Sequence, residues 1–191
     1  MIFDRTILGT GGYFYLGTDW HLGHKNIIGY DNRPCDYEDK ILNNIKETIT
    51  ENDVYINLGD VIFSQYGRLR TIIPNLPGKY ILVMGNHDKE KPQWYINSGF
   101  KMASRILILE DIVFSHRPVN ISIYPGCCAN IHGHFHTHNR KEENRKGDDY
   151  EFYKRDKNFC IYIDDHTYQP IKLKEFLKEN NIKSRLLKDY D

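Results

Sequence analysis

The stretch Tyr80-Ile81-Leu82-Val83-Met84-Gly85-Asn86-His87-Asp88 sets the architecture of this chain. Its first five residues are apolar and mostly β-prone, the pattern of a strand buried on both faces. A glycine follows, which permits a sharp turn and a close approach of backbone to a ligand. Then come an amide, an imidazole and a carboxylate. The same grammar recurs outward in both directions. Tyr13-Phe14-Tyr15-Leu16 runs into Gly17-Thr18-Asp19-Trp20-His21, and Val54-Tyr55-Ile56-Asn57-Leu58 runs into Gly59-Asp60. Further on, Ile112-Val113-Phe114 precedes Ser115-His116, and Cys128-Ala129-Asn130-Ile131 precedes His132-Gly133-His134-Phe135-His136.

Helical patterns lie between some of these strands. Residues 37–50 place Ile41, Leu42, Ile45 and Ile49 on one face, with Asp36 as a candidate N-cap. A shorter helix is expected within 67–76, ended by Pro74 or Pro77, and another over 91–97, with Pro92 in its first turn and Gly99 beyond its end. Strand–helix–strand alternation predicts an α/β domain with parallel strand pairs. Residues 103–109 and 112–115, separated by Glu110-Asp111, read as a hairpin, which makes the sheet system mixed. The densely charged 140–157 reads as an exposed loop, 158–163 as a last strand, and 171–179 as a terminal helix with Leu173, Phe176 and Leu177 inward. No internal repeat or linker divides the chain, so 1–191 is expected to be one domain.

Composition narrows the function. The chain has 191 residues, 40% hydrophobic and 27% charged, a globular profile. Lys plus Arg equal Asp plus Glu at 26 each, and this zero net charge argues against a broad nucleic-acid footprint. No apolar run is long enough to span a bilayer, and the first residues lack a signal-peptide pattern. Cys35, Cys127, Cys128 and Cys160 form no C-x-x-C pair, which suits reduced thiols and a cytoplasmic location. The nine histidines are many for this length, and His132, His134, His136 and His138 alternate within one short segment.

The candidate ligands are Asp19, His21, Asp60, Asn86, His116, His134 and His136, each just past a strand, where ligands bind in open α/β sheets. Two hard carboxylates, one neutral amide oxygen and four imidazoles exceed what one tetrahedral ion needs. They suit two divalent ions about 3.5–4 Å apart that share a carboxylate. Such donors accept manganese, iron, zinc or nickel. Two divalent ions less two carboxylates leave positive charge, so the site would attract an anionic phosphate ester and stabilise charge building on its oxygens. Each motif alone is weak, because Asp and Asn also serve turns and a histidine can be a satisfied core residue. The ordered set is the signal.

The series Asp19-x-His21, Gly59-Asp60, Gly85-Asn86-His87-Asp88, His116 and Gly133-His134-x-His136 resembles the calcineurin-like metallophosphoesterase superfamily. The stretch from Asp19-Trp20-His21-Leu22-Gly23-His24 through Asn32-Arg33-Pro34 resembles its small single-domain bacterial and phage branch. The resemblance implies a four-layer α/β/β/α sandwich of two mixed sheets flanked by helices. It implies that Asp19, His21 and His136 hold one metal and Asn86, His116 and His134 the other, with Asp60 bridging. It implies in-line attack on phosphorus by a hydroxide bridging the metals, with His87 beside the leaving oxygen as general acid. Gly59-Asp60 continues as Val61-Ile62-Phe63 rather than toward the Asp-Arg-Gly of the protein phosphatases, which argues against a phosphoprotein substrate. The expected partner is a small phosphate ester, mono- or diester, with nucleotides among the candidates. A non-catalytic metal-binding scaffold and a small nuclease are the rival readings; the full ligand set with His87 opposes the first, and the neutral charge opposes the second. His24 and Arg33 follow the first ligand loop and are the candidate substrate contacts, Arg33 through its two-point guanidinium. Asp88 either orients His87 or serves the turn. His132 and His138 are expected outside the ligand set.

Overall fold

Strands form where the apolar runs are, and the direction of their side chains sorts the core into two. The computed structural model describes residues 2–3, 11–136 and 157–190. Among the described residues, ten strands lie in two five-stranded sheets. In one, β2 (Phe14–Gly17), β3 (Val54–Asn57), β4 (Lys79–Val83) and β5 (Met102–Ser104) are parallel, and β10 (Ile171–Lys172) joins antiparallel beside β2. In the other, β1 (Ile2–Phe3), β6 (Ile106–Leu109), β7 (Ile112–Ser115), β8 (Ala129–His132) and β9 (Asn158–Cys160) follow in that order, antiparallel only between β6 and β7.

Alternation along a strand assigns its residues to opposite faces. Leu16, Val54, Ile56, Ile81 and Val83 meet Leu107, Leu109, Phe114 and Ile131 of the second sheet in one buried cluster. Tyr55, Tyr80 and Leu82 face the other way, onto Tyr37, Ile41 and Ile45 of α2 (Tyr37–Thr48). Leu69 of α3 (Leu69–Ile72) and Tyr95 of α4 (Pro92–Ile96) join that second cluster. α5 (Leu173–Glu179) packs Leu173, Phe176 and Leu177 into the first. Two mixed sheets with flanking helices result, the α/β class expected. A short α1 (Ile27–Tyr30) stands at the edge of the site.

Several local expectations need correction. The apolar run 103–109 is not one hairpin arm: Met102–Ser104 pairs with β4, and Ile106–Leu109 pairs with β7 in the other sheet. The chain switches sheets at Arg105, where the Ser104 hydroxyl donates to the Ile106 carbonyl at 2.9 Å. Ser104-Arg105 interrupts the apolar residues at that point and is the local mark of the switch. The last strand is β10 rather than the segment at 158–163, which leaves the sheet after Cys160 and turns through a 3-10 helix at Ile163–His166. Ile171 and Lys172 therefore belong to a strand, not to the terminal helix. Asp36 makes no side-chain cap and pairs instead with Lys40 at 3.2 Å. None of the four cysteines forms a disulfide, and among the described residues no helix is long and apolar enough to cross a membrane. Apart from Lys157, the charged loop expected at 140–157 lies outside the described residues, as does His138.

Candidate metal centre

The centre lies beyond β2, β3, β4, β7 and β8, so both sheets contribute. The loop after β2 runs along the loop after β3: Asp19 N donates to Gly59 O at 2.8 Å, His21 N to Asp60 O at 2.9 Å, and Leu22 N to Val61 O at 3.2 Å. Trp20, between the two donors, is fully buried and bonds the Tyr55 hydroxyl at 3.1 Å, which leaves Asp19 and His21 for the site. Asp19, His21, Asp60 and His134 all have left-handed backbones, with φ of 51°, 49°, 53° and 74°. Such conformations cost a residue with a Cβ about 1 kcal/mol or more and cluster where geometry is functional.

Two donor groups result. Asp19, His21 and His136 form one, and Asp60, His116 and His134 the other, the ligand atoms of each lying within 4.8 Å of one another. In the first, His21 Nε2 is 3.0 Å from His136 Nε2 and 3.5 Å from Asp19 Oδ1. In the second, His116 Nε2 is 3.2 Å from His134 Nδ1, 3.3 Å from Asp60 Oδ2 and 3.1 Å from Asn86 Oδ1. Asp60 Oδ2 also lies 3.8 Å from His21 Nε2, so this carboxylate stands between the groups.

The atoms facing away from the centre are tied down by the protein. Asp19 Oδ2 accepts from the Thr18 hydroxyl at 2.5 Å and from His134 N at 3.0 Å, while its buried Oδ1 faces His136 Nε2 at 3.3 Å. Asp60 Oδ1 accepts from His87 N at 2.8 Å. His116 Nδ1 donates to the Leu58 carbonyl at 2.8 Å, which fixes the ring and turns Nε2 to the centre. His136 Nδ1 meets the Asp31 carboxylate at 2.8 Å, a carboxylate–histidine pair of the kind that backs a metal ligand. Imidazole nitrogens and carboxylate oxygens gathered at these distances make a site for a cation. The donor set suits divalent transition-metal ions.

Without a metal, a proton can be that cation. Burial alone would lower His136, but the charge and hydrogen bond of Asp19, then those of Asp31, raise it to about 10. Burial likewise opposes the charged form of His116, and the bond and charge of Asp60 override it, giving about 9. Asp19 and Asp60 resist the upward push of burial and fall, Asp19 chiefly through His136 and Asp60 chiefly through His116. Burial pushes His21 down to about 4, and burial with His116 pushes His134 down to about 3, so both rings are neutral, the form that can donate a lone pair to a metal.

Two glycines let the loops close on the centre. A Cβ on Gly85 would collide with the Asp60 carboxylate; one on Gly133 would strike the Thr18 hydroxyl and reach Asp19 Oδ2 at 2.6 Å. Asp88 is a brace for the turn. Its carboxylate accepts from Gly85 N at 2.7 Å, Asp60 N at 2.9 Å and Val61 N at 3.2 Å, and so joins the β3 and β4 exits. Burial and the Asp60 charge push it up to about 6 against those bonds.

His87 lies outside both donor groups, partly exposed, with Nε2 3.9 Å from Asp60 Oδ2. His24 stands beside it and His21, its ring 5.6 Å from that of His21. Arg33 must be corrected. Its side chain is fully buried and faces away from any substrate: Nε is 2.9 Å from Asp164 Oδ1, Nη2 donates to Asp164 Oδ2 at 3.1 Å, and Nη1 donates to the Trp20 carbonyl at 3.3 Å. The guanidinium also lies over the Tyr37 and Tyr168 rings. The partner is 131 residues away in sequence, so no local pattern announces it. His132 is buried in β8 with Nδ1 2.9 Å from the Gly133 carbonyl, outside both groups. The sequence reading missed Asp31, whose place behind His136 has no spacing signature.

Comparison with known proteins bears on the family and the fold. The profile of a family described as calcineurin-like phosphoesterase matches residues 14–191. An uncharacterized protein of Methanocaldococcus jannaschii is 27% identical over 173 residues, covering 86% of this chain and 89% of its own. A crystal structure of a protein of unknown function from Aquifex aeolicus superposes with a TM-score of 0.68 at 27% identity, covering 88% of this chain and 99% of that one.

Proposed function

The chain belongs to the calcineurin-like phosphoesterase family, and we propose that it hydrolyses small phosphate esters, as one domain, with two divalent transition-metal ions. The observation that carries this reading is the pair of adjoining donor groups, Asp19/His21/His136 and Asp60/His116/His134, with Asp60 Oδ2 between them. Two such ions supply Lewis-acid polarisation of phosphoryl oxygens and a water nucleophile active at neutral pH.

The protein's own groups do the rest. Asp60 directs one oxygen to both groups while the other is held by His87 N. Asn86 joins the second group through Oδ1. His87 has its backbone carbonyl held by the Tyr66 hydroxyl and its own N–H bound to Asp60, so its ring is positioned without being a ligand. From there it protonates the leaving alkoxide as general acid, a role worth roughly 10²–10⁴-fold in rate.

The test is reconstitution. Protein stripped with chelator and reloaded separately with manganese, iron(II), zinc or nickel is assayed on para-nitrophenyl phosphate and bis-para-nitrophenyl phosphate. About two ions per chain and chelator-sensitive turnover of at least one ester are expected. Inertness toward both esters with every metal would count against a phosphoesterase.

A further inference from the structure

Beside the first donor group is a cavity of about 540 Å³ lined by His21, His87 and His136 and by His24, Phe63 and Tyr30. Tyr30 is 65% and Phe63 40% exposed, two of the five large apolar side chains left open among the described residues, and both line this one cavity. Exposed apolar surface gathered in a concave site marks a place for a ligand. His24 lies against Phe63 with ring centroids 3.8 Å apart and 34° between planes; Tyr30 meets His24 edge-on at 6.1 Å; Phe63 reaches His87 at 5.0 Å. These rings share the backbone that sets the ligands: Phe63 N donates to Leu22 O at 2.9 Å, and His24 N to His21 O at 3.0 Å. The wall is therefore held in register with the centre. Asn26 lines the same cavity, and at the N-terminus of α1 its side chain makes no capping bond. Its amide offers one donor group and one acceptor.

We propose that this cavity seats a flat ring on the alcohol side of the substrate, stacked on the Phe63–His24–Tyr30 wall. A nucleobase is the ring that fits best, because Asn26 can pair with its polar edge. The inference rests on the phosphoesterase reading and narrows its substrate to nucleoside phosphates. A ring seated there has His87 as a neighbour, where the leaving oxygen needs its proton.

The experiment compares adenosine phosphate, phenyl phosphate and glycerol phosphate, each as monoester and as methyl diester, on manganese-loaded protein. Wild type is expected to favour adenosine over glycerol in kcat/KM, two alkoxide leaving groups of similar quality that differ in the ring. Phe63→Leu should lower kcat/KM for the ringed esters roughly 5- to 100-fold relative to the glycerol ester, mostly through KM, the usual worth of one stacked base. Tyr30→Leu should act in the same direction, and both side chains are exposed enough for the variants to fold. Asn26→Ala should lower the adenosine rate relative to phenyl. Equal losses on phenyl and adenosine esters in Asn26→Ala would overturn the nucleobase assignment. Equal losses on all three esters in Phe63→Leu would overturn the ring seat and leave the phosphoesterase reading standing. Saturation-transfer NMR with adenosine alone reads the seat without turnover. A transfer signal in wild type that disappears in Phe63→Leu supports the seat, and no signal in wild type overturns it, even if no ester is cleaved.

Discussion

Asp164→Asn should destabilise the protein far more than a loop substitution usually does. The Arg33 side chain has no exposed surface, and Asp164, at 16% exposure, supplies both oxygens that face it, at 2.9 and 3.1 Å. Without the carboxylate charge, the guanidinium keeps one neutral amide oxygen, the Trp20 carbonyl and two aromatic faces, with an amide NH2 turned against its own donors. Removing one partner of a buried pair costs about 3–5 kcal/mol; because Asp164 is partly open to water, the low end, about 3 kcal/mol, applies. For a chain of this size each kcal/mol shifts Tm by roughly 2–4 °C, so a fall of about 6–12 °C is expected. Thermal unfolding followed by circular dichroism on metal-free protein is the assay, since bound metal would raise Tm by mass action. The double variant Arg33→Met/Asp164→Leu, which removes both charges, should recover most of the loss. The Trp20 carbonyl sits between Asp19 and His21, so Asp164→Asn should also weaken the first metal more than the second. A Tm within 1 °C or so of wild type, below the shift of even 1 kcal/mol, would refute the claim that this pair anchors the ligand loop.

Asp60→Asn should reduce both metal occupancies in elemental analysis, because a neutral amide bridges two cations poorly; undiminished occupancy and activity would remove Asp60 as the bridge. His87→Ala should keep the metals and lose about 10²–10⁴-fold on esters with poor leaving groups but much less on good ones, so equal losses across a leaving-group series would exclude proton donation. Metal uptake near neutral pH should release about two protons per chain in unbuffered titration, one each from His136 (about 10) and His116 (about 9), and affinity should rise with pH until those values are passed. The sign for the metal-free fold is opposite: both groups lie above the ordinary histidine value, so their stabilisation is present below about 6.5 and is lost as pH rises toward 9–10, which pH-dependent denaturation would show. Gly133→Ala should displace Asp19 or Thr18 and lower occupancy of the first site, with a loss of about 1–3 kcal/mol from overpacking; unchanged metal content would show that the loop yields freely.

Much of the fold could be read along the chain, since the strands that position the centre are short apolar runs ending in small or polar residues. Which core each strand residue enters came from the structure, Val54 and Ile56 to one and Tyr55 to the other. The stretch 103–109 reads as one hairpin arm, yet Ser104 and Arg105 break its apolar residues where the chain passes from one sheet to the other. The donor types were legible for a related reason. Ligands at strand exits carry their chemistry in the residue itself, and their order along the chain follows the order of the strands.

What depends on residues far apart in sequence emerged only from the folded arrangement. Arginine beside a proline just after a ligand loop signals a phosphate contact as readily as a structural ion pair, and the choice was made by Asp164, brought over Arg33 from the other end of the chain. Asp31 behind His136, the Leu58 carbonyl behind His116 and the paired rings of His24 and Phe63 have the same origin. Residue identities along the chain settled which atoms could bind a cation and in what order the strands present them. Which of those atoms face one another, and what stands behind each, depended on how the two sheets pack, because side-chain direction is local to a strand whereas its partner is not.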